Sequence, residues 1–212
     1  MKLKVLILGT GLTLFGLASC GAGEEHTADT ETTTTEEPKE EMAKAANYAI
    51  NADASSIVWH GDALAGAYAH AGTLNISEGS LDVAGGAITG GSFTVDMTSM
   101  AATDENYTEE KTPEALIDHL SSGDFFEVEA HPTATFTITK VDGSTVMGDL
   151  TIRGVTKPAT IKDVSVEDLE GSITTKGNLE FNRQDFGVAY DAGKDFVISN
   201  DIQLEITVEA SK

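Results

Sequence analysis

Basic residues are scarce in this chain: 13 Lys and Arg stand against 35 Asp and Glu, for a formal net charge of -22. Such a field repels phosphate backbones, so nucleic acid is not an expected partner. A single Cys and four Pro exclude a disulfide framework and a collagen-like chain. The apolar run near the start, Val5 to Leu17, has 13 residues and is too short for an ordinary membrane-spanning helix. There is no G-x-S-x-G elbow, no Walker A loop, no G-x-G-x-x-G ahead of a helix and no HxH, HxxxH or CxxC frame. Nucleophilic hydrolysis, nucleotide binding and a metal centre therefore lack support, and no catalytic residue, metal ligand or cofactor is assigned. What is present, over 212 residues with 40% hydrophobic content and 21 Gly, suits one turn-rich globular domain.

The first residues read as an address and an anchor. Lys2 and Lys4 precede the apolar run, and Ala18 and Ser19 follow it, as in a secretory signal. Leu17-Ala18-Ser19-Cys20 is similar to a bacterial lipobox, which makes residues 1–19 a signal peptide and Cys20 the lipidated first residue of a lipoprotein. Several acyl chains on one residue exceed what stable membrane anchoring needs. Residues 20–47 carry a Thr run and eight acids against Lys39 and Lys44, which predicts an unstructured tether of roughly 30 Å root-mean-square span. The folded domain is then 48–212, with 9 basic and 27 acidic residues, or -18.

From Ser55 onward, short runs of period-two alternation recur between Gly, Asp and Asn turn signals, the pattern of an antiparallel sandwich or barrel. Ile202, Leu204, Ile206 and Val208 alternate with polar residues, and so do Phe93, Val95 and Met97, Phe136 and Ile138, and Leu179 and Phe181. Further strands are predicted at 57–59, 72–77, 80–83, 146–153, 160–166 and 173–177, with Asp142-Gly143 as a hairpin signal. One segment breaks the rhythm: Thr112-Pro113-Glu114 supplies an N-cap, an N1 proline and an early acid, and Ser122-Gly123 a stop. A short helix over 113–121 follows, with Leu116, Ile117 and Leu120 on one face.

His60, His70, His119 and His131 are isolated in sequence, and each reads as a structural residue: His60 and His70 beside turns, His119 on the helix facing loop or solvent, His131 in a loop. Trp59, Phe93, Met97, Phe125, Phe126, Phe136, Phe181, Phe186 and Phe196 can fill a barrel or line one. A barrel of about eight strands does either, and alternation alone does not choose.

Ordered stretches favour the second option. Trp59-His60-Gly61, His70-Ala71-Gly72, residues 91–97, residues 119–126, residues 132–136, residues 148–158 and Asn182-Arg183-Gln184-Asp185-Phe186-Gly187 together resemble the YceI-like family of periplasmic lipid-binding proteins. The resemblance implies an all-β fold with one short helix, an extended lipocalin-like antiparallel barrel of about eight strands, whose pore holds a polyisoprenoid such as an isoprenoid quinone, its precursor or a similar amphiphile. Inward-facing Trp59, Phe93, Val95, Met97, Phe136, Ile138, Leu150 and Phe181 are the expected tail contacts. Leu116, Leu120, Phe125 and Phe126 are expected to line or close one end. Partners are then the lipid, the membrane of the cell envelope through Cys20, and a homodimer as one arrangement to test. Residues 148–158 are expected to form a strand, its turn and the next strand, punctuated by Gly154 and Pro158, and residues 182–187 a structural corner. Family members commonly have Lys at the place of Ala63 and Arg-Asp at that of Ile117-Asp118, so no headgroup contact is carried over. Asp104, Glu105, Glu109 and Glu110 are expected to make the rim negative, discouraging anionic lipids. The competing reading is a structural lipoprotein whose barrel is filled by its own side chains and binds another protein.

Overall fold

The computed structural model describes residues 44–169, 171–194 and 197–212. The predicted signal peptide, Cys20, nearly all of the predicted tether and Phe196 lie outside the described residues. In chain order the elements are β1 (Ala46–Ile50), β2 (Ser56–Ala63), β3 (Tyr68–Ala84), β4 (Ala87–Ala102), α1 (Pro113–Ser121), β5 (Thr133–Asp142), β6 (Thr145–Ile152), β7 (Val155–Leu169), β8 (Ser172–Asn182) and β9 (Ile198–Ser211). Every pairing is antiparallel. The order β3-β2-β9-β8-β7-β6-β5-β4, closed by a β3–β4 pairing, is an eight-stranded barrel. Closure removes the open sheet edges that an acidic but β-rich chain would otherwise expose.

β1 does not add a ninth stave. It pairs with the far end of β3 (Tyr48 opposite Leu81) and with the end of β9 (Ile50 opposite Ala210), while β2 pairs with the other parts of the same two strands. The two share one seat, separated by a 3-10 turn at Ala52–Ala54. Asn51 caps that turn by accepting from the Asp53 N–H, and the Ser55 hydroxyl donates to the Glu209 carbonyl at 3.2 Å. The first strand begins at Ala46, so the last residues of the predicted tether are sheet.

The connections divide the barrel into two unlike ends. At one end β3–β4 turns through Gly85-Gly86, where both residues have positive φ (60° and 79°) that only Gly adopts without strain. β5–β6 turns at that end too, through Gly143-Ser144 as the Asp142-Gly143 signal indicates. At the other end lie the long connections: residues 103–132 with α1, and the described residues between β8 and β9, 183–194 and 197. α1 spans the residues its local signals predict, and the Thr112 hydroxyl accepts from the Ala115 N–H at 3.2 Å.

Two arginines hold these long connections in place. Arg153 sits in the tight β6–β7 turn with φ 50°. Its guanidinium donates to the Glu127 carboxylate, to the Gly123 carbonyl at 3.0 Å and to the Gly187 carbonyl at 2.7 Å. One side chain thus ties the segment after α1 to the segment after β8. Arg183 is buried and donates to the carbonyls of Val188 at 2.8 Å and Ser199 at 3.0 Å, so residues 182–187 form a corner. Burial lowers the pKa of Arg183, and the charge of Asp191 opposes that shift.

The structure corrects several predicted boundaries. The stretches 72–77 and 80–83 are one strand, β3, because register shifts opposite β4 bend it without ending it. The stretches 173–177 and 179–181 are likewise one strand, β8. Pro158 does not punctuate. It lies inside β7 opposite Asp149, where β7 pairs with β6 alone because β8 joins only from Ile161 onward. A residue without an N–H is tolerated on that unpaired side.

Candidate functional site: an apolar cavity at one end of the barrel

The inward face of the barrel is hollow at the end with long connections and filled at the other. The hollow part is a cavity of about 580 Å³, within the roughly 300–1,000 Å³ typical of ligand pockets. Among the described residues, every barrel strand except β7 contributes to its wall. Its floor is the stacked pair Phe93 and Phe136, with ring centroids 5.5 Å apart. Phe136 rests on Gly148, where a Cβ would lie 2.5 Å from the ring. Beyond the floor the interior is packed with Ile76, Leu81, Val83, Val146, Ile173 and Val208, all buried. The void left there is about 30 Å³.

Of the expected tail contacts, Trp59, Phe93, Val95, Met97, Phe136, Leu150 and Phe181 lie in the cavity wall. Ile138 does not: it lines the small void past the floor. Period-two alternation identifies the inward face but not the depth along the barrel axis, and Ile138 is inward at the filled level. Leu116, Leu120, Phe125 and Phe126 also line the cavity, at its outer end. Leu74, Ile202 and Leu204 are also in the wall; the alternation of β9 marked two of them as apolar without naming them as contacts. The Trp59 side chain covers Gly72, and a Cβ at Gly72 would lie 2.4 and 2.5 Å from its ring carbons. The indole N–H is buried without a hydrogen-bond acceptor among the described residues.

His119 overturns its expected placement facing loop or solvent. It lines the cavity and meets Phe125 and Tyr190 edge-on, with centroids 5.0 and 4.8 Å away. Because α1 lies across the opening, its inner face carries this aromatic collar.

A polar cluster that the sequence did not announce stands at the opening. Tyr68, His70 and Tyr107 are in the cavity wall, and Asp104 is among their hydrogen-bond partners outside it. The Asp104 carboxylate accepts from the backbone N–H groups of Ala71 at 3.0 Å and Asn106 at 2.8 Å, from the Tyr107 hydroxyl at 2.8 Å and from His70 Nδ1 at 3.2 Å. The second ring nitrogen of His70 lies 2.9 Å from the Tyr68 hydroxyl, and Tyr107 stacks on the imidazole at 4.9 Å. Asp104 is therefore an internal anchor instead of an exposed rim charge, although Glu110 does border the cavity. His70 hydrogen-bonds this cluster and not a turn carbonyl.

Burial pushes the Asp104 pKa up, but the four donors outweigh it and bring it down to about 2 from an ordinary 3.8. A depressed folded-state pKa stabilises fully above the unfolded value and is lost as pH falls through the folded one. Asp104→Asn is expected to remove acid sensitivity on the order of 2 kcal/mol between about pH 4 and pH 2. Denaturant melts of both proteins across that range check it; identical slopes would contradict the role assigned to the carboxylate. Tyr107 is pushed above the usual phenol range by burial, then by its hydrogen bond to Asp104 and the charge there and at Tyr68. Among the described residues, no three of His, Cys, Asp or Glu converge as metal ligands.

With this geometry in view, comparison with known proteins identifies the fold. The profile of the YceI-like domain matches residues 48–210. A UPF0312 protein of Pseudomonas aeruginosa (strain LESB58) is 38% identical over 100 residues, which are 43% of this chain and 51% of that relative. A UPF0312 protein of Staphylococcus aureus (strain MSSA476) is 32% identical over 109 residues, 46% of this chain and 63% of the relative. The matched stretch thus spans about half to three-fifths of these curated relatives. The crystal structure of Burkholderia cenocepacia BcnA superposes with a TM-score of 0.62 at 20% identity, covering 76% of this chain and 99% of that one, a likeness of fold. Profile, relatives and barrel agree: the chain belongs to the YceI-like family.

Proposed function

We propose that the barrel binds one long apolar ligand, a polyisoprenoid or similar amphiphile, with its tail in the cavity and its polar end at the opening. The protein is further proposed to be anchored through a lipidated Cys20 in a bacterial cell envelope, where it sequesters or carries that ligand. The observation that supports the reading is the half-hollow interior. Seven strands and α1 surround about 580 Å³ of predominantly apolar space, while the other half of the same barrel is packed nearly without voids. Interiors normally pack to crystal-like density, so a hollow of this size has been left open by the sequence. Burying a tail there yields roughly 25 cal/mol for each Å² of apolar surface, and a preformed wall avoids most of the ordering cost. The filled-barrel alternative explains the far half only. No bond is made or broken in this reading.

Trp59, the chain's single Trp, lies in the cavity wall and reports occupancy directly. Titration with geranylgeraniol, an isoprenoid alcohol, is expected to change Trp59 emission saturably at one ligand per chain. Unchanged emission across the titration, with no ligand retained on gel filtration, would overturn the reading.

A further inference from the structure

The hydrogen-bond directions at the cavity opening specify what kind of polar end fits there. This inference rests on the binding reading above and adds the chemistry of the headgroup. Asp104 has only acceptors to offer while ionised. It lies within 3.2 Å of His70 Nδ1 through both oxygens, so Nδ1 carries a proton and donates. In the neutral ring the other nitrogen is then an acceptor, and the Tyr68 hydroxyl 2.9 Å away donates to it. The Tyr107 hydroxyl donates to Asp104 at 2.8 Å. The Tyr107 phenol proton is thus directed into the cluster. What Tyr107 has left for a molecule in the cavity is oxygen lone pairs.

The cations near the opening have acids close by. The Arg183 guanidinium lines the cavity, gives two of its five N–H groups to the Val188 and Ser199 carbonyls and feels the charge of Asp191. Lys111 borders the opening beside Glu110, and Asp62 borders it from β2. We infer that the Tyr68–His70–Asp104–Tyr107 cluster is a headgroup site with an acceptor at its surface, selecting an isoprenoid that ends in a hydrogen-bond donor, an alcohol or a hydroquinone, over one that ends in an ether, a quinone carbonyl or a phosphate. At Tyr107 an acceptor-only headgroup would meet lone pair against lone pair, and an anionic one would also feel the charges of Asp104, Asp62 and Glu110.

The test uses three probes with one tail: geranylgeraniol, its methyl ether and geranylgeranyl phosphate, each titrated against Trp59 emission at one fixed pH. The alcohol is expected to bind roughly five- to tenfold tighter than the ether, the worth of one hydrogen bond, and the phosphate more weakly than both. Tyr107→Phe is expected to abolish the preference, bringing alcohol and ether to equal affinity. Equal affinities for alcohol and ether, or tightest binding of the phosphate, would overturn the headgroup inference while the cavity reading stands. Failure of all three probes would overturn the cavity reading itself. The comparison on the unaltered protein decides the matter even where Tyr107→Phe fails to fold.

Discussion

Gly61→Phe is expected to empty the barrel of ligand without unfolding it. Gly61 lies on β2 between His70 of β3 and Ile202 of β9, in the cavity wall. A Cβ built there meets one atom, Ile202 Cδ1, at an ordinary 3.7 Å. The backbone therefore accepts a side chain, and that side chain projects into the hollow. An aromatic residue suits a strand and costs less unfolded-chain entropy than Gly, so stability is expected to hold or rise by up to about 1 kcal/mol. Affinity for geranylgeraniol is expected to fall at least tenfold, because the ring occupies tail space and narrows the route past His70. Val58→Phe, one position on the opposite, half-buried face of the same strand, is the control expected to bind normally. Emission titrations and denaturant melts of the three proteins check this; undiminished binding by Gly61→Phe would show that ligand does not enter here.

The second large effect belongs to a glycine of opposite character. At Gly72 a Cβ would lie 1.8 Å from the Ala101 carbonyl oxygen, as well as against the Trp59 ring. Gly72 stands where β3 is held by both neighbours, opposite Trp59 of β2 and Ala102 of β4. A methyl must push back a main-chain carbonyl on the seam that closes the barrel. Gly72→Ala is expected to cost about 3 kcal/mol or more, at the upper end of overpacking effects. For a domain of this size that is a fall in Tm on the order of 10 °C. A loss below about 1 kcal/mol in denaturant melts would mean that the seam yields more readily than its geometry indicates. Neither glycine differs from the other in sequence pattern; only the neighbouring strand separates an open position from a closed one.

That contrast shows what could be read ahead of the structure. α1 was legible to the residue because Thr112, Pro113 and Ser122 act on their own backbone, within one turn. The barrel strands were legible because one face is buried and the other wet. β1 was not: Ala46–Ile50 adjoins an acid-rich segment and buries only Tyr48, too little alternation to see. Long β3 was read as two strands because its bulges interrupt the period. Ile138 and Phe136 carry the same inward signal, yet one faces packed core and the other floors the cavity. The headgroup cluster was hidden for another reason. His70 and Asp104 are 34 residues apart and meet only across the β3–β4 seam. Asp104 looked like one acid in a run of acids, and nothing local distinguished it from Glu105 or Glu109.

The central claim is that the hollow half of the barrel exists to hold a lipid tail. It is tested most directly by native mass spectrometry of the full chain recovered from a bacterial envelope, followed by organic extraction, side by side with Gly61→Phe. One long-chain isoprenoid per chain, ending in a hydroxyl, is expected on the wild-type protein, and none on the variant. A folded wild-type protein that carries no lipid and takes up no added geranylgeraniol would contradict it.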